Sequence, residues 1–421
     1  MHFCYKLITF LIYPLSPLYL LYRKLKKKEH PTRYKEKLSK ISLARGDGFL
    51  IWFHVASVGE AMSILPLIDE CIKDKKIRKI LITTITLSSS NVLDKKFNNN
   101  PKVVHQFLPL DITLLINKFL NHWKPNLSIF IDSEIWPNLI TQTKKMKIPL
   151  LLVNARITKK TFNRWKFLKN FSREIFGKFD LCIASNIETK EFLTVLGAKN
   201  IKNIGNLKFS NIKNISNKKL EDAFLVKIKN RKIWCAASTH SPEEILCGKS
   251  HLEIKKIYKN VLTIIIPRHI DRSKKIFTDL ETLNLKVVAS SNLNPFDADT
   301  DILIVDSYGE ALKFYNISKC VFLGKSLVDS LVMDSGQNPI EPARLGCKIL
   351  HGPNVSNFHE IYSYFKTLGI TKEIHNSSEL IQSVVEELEK DNPINHEIIA
   401  EIENYGQNIF KNVIMELKKY I

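Results

Sequence analysis

Several apolar runs of this chain end in polar groups equipped for chemistry. They are His54-Val55-Ala56-Ser57-Val58-Gly59-Glu60, Asp132-Ser133-Glu134, Asn154-Ala155-Arg156, Ala237-Ser238-Thr239-His240, Pro267-Arg268-His269 and Asp306-Ser307-Tyr308-Gly309-Glu310. A carboxylate such as Glu60, at the mouth of a strand, is suited to take a proton from an attacking hydroxyl. The same Ser-x-x-Glu spacing is that of a capping box, and the positive end of a helix would lower the pKa of the carboxyl. Both readings of Glu60 stand on spacing alone. Asp132 and Glu134 close an apolar run just before Trp136 and Pro137, the latter in an early helical place. Capping does not need two carboxylates, so one is left to hold or charge-stabilise a substrate. Arg268 can offer two parallel bonds to a phosphate through its planar fork; the plainer reading is a surface arginine. Ser335-Gly336-Gln337-Asn338-Pro339-Ile340-Glu341-Pro342 has the form of a loop feeding a helix. Its amides and the helix dipole would attract an anion, and Glu341 could accept from ribose hydroxyls.

These groups need elements to position them. Beyond residue 48, β-branched runs alternate with amphipathic stretches, the signature of strands and crossover helices in parallel sheets. Strands are expected at Phe49–Ser57, Lys79–Thr86, Val103–Asp111, Leu127–Glu134, Pro149–Arg156 and Leu181–Asn186 in the first half. In the second half they are expected at Lys232–Thr239, Val261–His269, Leu285–Ser291, Asp301–Ser307, Lys319–Ser326 and Cys347–Pro353. The organisation is then an anchor and basic flank (1–28), an α/β domain (29–210), a linker (211–219), a second α/β domain (220–393) and a helical C-terminal segment (394–421). In open α/β sheets ligands bind beyond the carboxyl ends of the strands. Two such edges facing each other would make one interdomain cleft.

Composition narrows the class. The chain has 421 residues, 44% hydrophobic and 25% charged, which excludes wholesale disorder and a polytopic membrane protein. Lys and Arg number 63 against 42 Asp and Glu, a net charge of +21 that favours anionic partners without choosing among them. Seven scattered cysteines without a C-x-x-C pair read as free thiols in a reducing compartment. The acids Asp297, Asp299 and Asp301 precede a strand at its amino end and read as a solvated turn; no metal site is expected. Leu7 to Tyr22 is almost wholly apolar, and Arg23, Lys24, Lys26, Lys27 and Lys28 follow at once. With charge after the apolar run and no small-residue cleavage site, this is not a cleaved signal peptide. Its helical reach of about 24 Å falls short of a ~30 Å hydrocarbon core, and Pro14 and Pro17 should kink it. A shallow or marginally spanning anchor with the body on the cytoplasmic side fits the charge placement; a core helix is the alternative.

Taken in order, these motifs resemble the 3-deoxy-D-manno-octulosonic acid (Kdo) transferases of lipopolysaccharide assembly. The resemblance rests on Trp52-Phe53-His54 leading into Ser57-Val58-Gly59-Glu60, Leu108-Pro109-Leu110-Asp111, Glu134-Ile135-Trp136-Pro137-Asn138, Asn154-Ala155-Arg156 and Gly205-Asn206-Leu207-Lys208. It continues through Ala237 to His240, Ile266 to His269, Asp306 to Glu310, and Asn338 with Glu341-Pro342. The resemblance implies a GT-B fold, with acceptor on the N-terminal domain and CMP-Kdo on the C-terminal one. Glu60 would be the base, and Glu134 and Lys208 transition-state-stabilising groups. Arg268, His269, Gly309, Glu310, Ala311, Ser335, Gly336, Gln337 and Asn338 would contact CMP. The implied partners are CMP-Kdo, a phosphorylated lipid A precursor and the anionic inner membrane at its cytoplasmic face, with no cofactor, no metal and no nucleic acid. The chain departs from the family's usual pattern at Lys325 of Gly324-Lys325-Ser326, at Gln337 and at Ile270, all on the nucleotide side. Two rivals differ in class. A sugar-nucleotide epimerase of the same fold would have no need of the anchor, and a basic membrane-surface or nucleic-acid-binding protein would leave the polar strand ends unexplained.

Overall fold

The computed structural model describes residues 1–41, 43–210, 220–328, 335–390 and 396–421. It divides into two compact units, one made of Met1–Asn211 with Tyr405–Ile421 and the other of Ile212–Asn404. The expected linker, 211–219, lies outside the described residues.

The N-terminal unit is built on a parallel sheet of seven strands: β1 (Phe49–His54), β2 (Ile77–Thr84), β3 (Val103–Phe107), β4 (Leu127–Ile131), β5 (Leu150–Ala155), β6 (Leu181–Ala184) and β7 (Ile201–Asn203). Their order is β3-β2-β1-β4-β5-β6-β7. Helices cover both faces, so β1, β4 and β5 are buried almost end to end, which is why they read as unbroken apolar runs. The core joins Trp52, Trp123 and Phe130 with Leu150 and Phe176.

The C-terminal unit repeats the plan with β8 (Lys232–Thr239), β9 (Val261–Pro267), β10 (Val287–Ala289), β11 (Ile302–Ile304), β12 (Cys320–Leu323), β13 (Lys348–His351) and β14 (Thr371–Glu373). Their order is β10-β11-β9-β8-β12-β13-β14, again all parallel. Each expected strand is present. The two that the sequence did not announce, β7 and β14, are three-residue edge strands, too short and too polar to stand out. Asp301 also departs from expectation. It is not part of a solvated turn but buried, accepting from His251 Nε2 at 3.1 Å and Lys255 Nζ at 2.5 Å.

The N-terminal segment forms a longer helical run than its apolar stretch suggested. Helices His2–Ile12 and Ser16–Leu25 are joined by the 3-10 turn Tyr13–Leu15. Pro14 and Pro17 fall in the first turns of their elements, where a missing N–H costs least, so the run continues. The 24 residues, about 36 Å as ideal helix, are long and apolar enough to cross a membrane by length and composition. One side is docked. Tyr5 Oη donates to Asp111 Oδ2 at 2.7 Å, and Asn138 Nδ2 donates to Thr9 Oγ1 at 3.0 Å. The other side leaves Phe3, Leu7, Leu11, Leu15 and Leu18 exposed.

At the other end of the chain, the helix His396–Leu417 enters the N-terminal unit from Tyr405 onward. Tyr405 packs edge-on against Phe209, and Lys202 pairs with Glu416 at 2.9 Å. Gly205, at φ +108°, is backed by Ile409, whose Cδ1 lies 2.8 Å from where a β-carbon would sit. The turn that carries Lys208 thus rests on the C-terminal helix.

Candidate active site

β1 and β4 are sheet neighbours, and the strand order reverses between them. Such a switch point is where open α/β sheets hold ligands. β1 leads into Glu60 and β4 into Glu134, so topology alone brings two of the three expected catalytic residues to one rim.

Ser57 caps the helix Val58–Lys73, its Oγ accepting from Glu60 N at 3.3 Å. In return Glu60 Oε1 accepts from the Ser57 hydroxyl at 2.8 Å, and Oε2 from Ala56 N at 2.7 Å. A capping arrangement is therefore present, with the carboxylate reaching Ala56 rather than the amide of Ser57. It does not lower the carboxyl's pKa as expected from the helix end. Burial, then the negative charge of Asp132, raise it to about 7, with Glu134 adding to the rise and the Ala56 and Ser57 bonds opposing it. Burial outweighs the helix end, and two carboxylates distant in sequence add to the rise.

Glu134 moves the other way. Burial alone would raise its pKa, but hydrogen bonds from His54 and Trp136 leave it below the ordinary value. His54 Nε2 lies 3.2 Å and Trp136 Nε1 2.7 Å from Glu134 Oε2.

Asp132 and Asn154 both adopt left-handed backbone, at φ 55° and 56°. Asn154 Nδ2 donates to Asp132 Oδ1 at 2.5 Å, while Asn154 Oδ1 accepts from Leu207 N at 2.8 Å. Asn206 Oδ1 accepts from Lys208 N at 3.0 Å. Through these bonds the strand end at Asn154 fixes the 3-10 turn Leu207–Ser210 and sets Lys208 near Asp132. Burial pushes the Lys208 ammonium down, against the charges of Asp132 and Glu60, and pushes the Asp132 carboxyl up, against Lys208, Asn154 and Arg156. Glu60, Glu134 and Lys208 thus share one electrostatic neighbourhood. His54, Asn154 and Arg156 stand in the sequence motifs with no role assigned there, and Thr83, whose hydroxyl contacts His54, belongs to none of those motifs.

On the C-terminal unit the expected nucleotide contacts follow the carboxyl ends of adjacent parallel strands. Arg268 and His269 follow β9 and are exposed; His269 packs against His240, which follows β8, with ring centroids 5.6 Å apart. Gly309, Glu310 and Ala311 follow β11. Gly309 has φ +82°, and Glu310 pairs with Lys313. Ser335 to Asn338 lie over the ends of β12 and β13: Gly336 N donates to Lys325 O at 2.8 Å, Ser335 Oγ meets Ser356 Oγ at 3.1 Å, and Tyr362 Oη donates to Gln337 O at 3.0 Å. Gly336 is required there. At φ +84°, a β-carbon would stand 2.8 Å from Val355 Cα. Asn338 Oδ1 accepts from Ile340 N at 3.2 Å, starting the short helix Ile340–Arg344 on which Glu341 is exposed. One neighbouring carboxylate is fully committed. Glu243 accepts from the amides of His240, Lys325 and Ser326 at 3.0, 2.8 and 3.2 Å, locking the ends of β8 and β12 together.

Two doubly wound parallel α/β units with polar carboxyl edges define a two-domain GT-B-type fold. The same fold appears in the solved UDP-GlcNAc 2-epimerase from Neisseria meningitidis bound to UDP-GlcNAc, 14% identical with a TM-score of 0.56, over 87% of this chain and all of that one. The chain belongs to the 3-deoxy-D-manno-octulosonic acid transferase family, and is thereby a glycosyltransferase. Residues 27–211 match the family model described as 3-Deoxy-D-manno-octulosonic-acid transferase (kdotransferase). The 3-deoxy-D-manno-octulosonic acid transferase of Rickettsia bellii is 33% identical over 410 residues, covering 97% of this chain and 94% of its own. That of Haemophilus influenzae is 30% identical over 341 residues, 80% of this chain and 78% of its own. The family resemblance read from the motifs is borne out.

Proposed function

We propose that the chain transfers Kdo from CMP-Kdo to a hydroxyl of a phosphorylated lipid A precursor at the cytoplasmic face of the inner membrane. The observation that carries the mechanism is Glu60, a carboxyl poised near neutrality and oriented by two hydrogen bonds at the switch point of its sheet. Glu60 takes the proton of the acceptor hydroxyl as its oxygen bonds to the anomeric carbon, and the bond from that carbon to the CMP oxygen breaks with its electron pair. Attack from the face opposite the leaving group inverts the centre. Glu134, held anionic, and Lys208 stabilise charge that develops during transfer. Arg268 and His269 take the phosphate; Gly309, Glu310, Ala311 and Ser335 to Asn338 seat the nucleotide, and Glu341 accepts from its ribose. With Arg268 neutralising the departing phosphate, transfer should proceed undiminished in EDTA. The exposed apolar side of the docked helices, followed by Arg23, Lys24, Lys26, Lys27 and Lys28, suits a helix lying at an anionic lipid surface.

The test is transfer of labelled Kdo by the purified protein, with products read by mass spectrometry. Glu60→Gln should abolish product while CMP binding stays at the parental level. Undiminished transfer would return Glu60 to a purely capping role.

A further inference from the structure

A chain of three buried side chains runs beneath Glu134. Trp52 Nε1 donates to Thr83 Oγ1 at 2.8 Å, Thr83 Oγ1 lies 3.0 Å from His54 Nδ1, and His54 Nε2 lies 3.2 Å from Glu134 Oε2. Trp52, Thr83 and His54 are completely buried. The direction of the chain follows from its first member, because an indole N–H can only donate. The Thr83 oxygen accepts from Trp52 and has one proton to give. His54 Nδ1 is its nearer acceptor; the Phe53 carbonyl stands farther, at 3.4 Å. The Thr83 carbonyl, 3.3 Å from Nδ1, already accepts from Val55 N at 3.0 Å. If Nδ1 carried the ring proton instead, the bare Nε2 would face a carboxylate oxygen, two acceptors with nothing between them. A proton on Nε2 satisfies every member.

We infer that His54 is a positioning residue for transfer. Trp52 and Thr83 lock its ring as the Nε2–H tautomer, so that it donates to Glu134 and holds that carboxylate in one orientation. The inference rests on the proposed role of Glu134 in transfer. Its structural half does not depend on that role. The indole sets the hydroxyl, the hydroxyl sets the tautomer, and the tautomer sets the carboxylate. Thr83, though it touches no substrate, is thereby tied to the reaction rate.

The test uses the full-length protein in detergent, labelled with 15N-histidine, with the His54 signals assigned by their loss in His54→Gln. The expected spectrum shows a protonated Nε2 and a bare Nδ1; protonation at Nδ1, or at both nitrogens, overturns the inference. Trp52→Phe/Thr83→Val removes both partners of the upper hydrogen bond, so that no buried donor is orphaned. It should release the tautomer and lower kcat about tenfold, the effect of losing one oriented charge-assisted bond, with KM for CMP-Kdo unchanged. Thr83→Ser, which keeps the hydroxyl, should recover most of the kcat lost in Thr83→Val. A parental kcat in the double variant, beside the expected parental spectrum, overturns the positioning role and leaves the proposed function standing. Normal transfer by Glu134→Gln overturns the role of Glu134 itself, whatever the spectrum shows.

Discussion

If Glu60 titrates near neutrality, its charge must weigh on stability as well as on rate. The rise from the ordinary 4.5 to about 7 corresponds to about 3 kcal/mol against the ionised form. The folded protein binds this proton more tightly than the unfolded chain does. Native stability should therefore fall as pH climbs from about 4.5 through about 7 and change little above. Glu60→Gln removes the charge while its amide oxygen can still accept from Ala56 N and its amide nitrogen can donate to Ser57, so the helix keeps a cap. The variant should exceed the parent in stability by about 1 kcal/mol at pH 5 and about 3 kcal/mol at pH 8. In a unit of this size that is roughly 2–4 °C of apparent Tm per kcal/mol. Paired thermal scans across this pH range measure the gap. The parental transfer rate should fall about tenfold between pH 8 and pH 6, following the ionised fraction of a group titrating at 7. A gap that is constant with pH, or that shrinks as pH rises, would refute the raised pKa and the reasoning built on burial and facing carboxylates.

Other perturbations probe separate parts of the scheme. Arg268→Ala, at an exposed position, should leave thermal stability unchanged and weaken CMP binding by one to two orders of magnitude by calorimetry, the effect expected of losing the proposed charged contact to phosphate. Tyr5→Phe should cost about 1 kcal/mol locally and raise hydrogen exchange in the helix His2–Ile12. Asp111→Ala should cost more, since its carboxylate also accepts from Asn138 N at 3.1 Å and Leu139 N at 2.9 Å. Leu11→Glu with Leu18→Glu, both on exposed positions, should abolish sedimentation with anionic vesicles while leaving transfer to a detergent-dispersed acceptor near parental.

The strands were legible because each central one is buried on both faces and must be apolar throughout, so the polar residues at their ends stood out against them. β7 and β14 were not legible, because at a sheet edge Lys202, Asn203, Lys372 and Glu373 need no burial and write no pattern. The continuity of the N-terminal helices was missed for a local reason: proline breaks a helix in its interior but not in the first turn, and composition does not say where a turn begins. The pKa of Glu60 was misread in direction because spacing reveals the helix end beside it, but neither its burial nor the charges of Asp132 and Glu134 nearby. The same holds for Asn154 fastening Leu207 and for Ile409 backing Gly205, contacts across 53 and 204 positions of sequence.

Capping and catalysis are not competing fates for Glu60. A carboxylate offers about four lone-pair directions, and among the described residues Ala56 and Ser57 donate to it, which fixes its orientation without consuming its basicity. What distinguishes it from Glu134 is the sign of its surroundings. Burial raises both; Glu60, with two acids nearby, stays raised, whereas Glu134 receives two N–H donors on one oxygen and falls. When neighbouring carboxyls are driven apart in this way, the raised one is fitted to exchange a proton at neutral pH and the lowered one to remain an anion throughout. In the proposed reaction those are the two different tasks a sugar transfer sets: removal of the acceptor's proton, and a fixed negative charge beside an anomeric carbon turning positive. Exchanging the two environments, rather than the two residues, would therefore cost the reaction both.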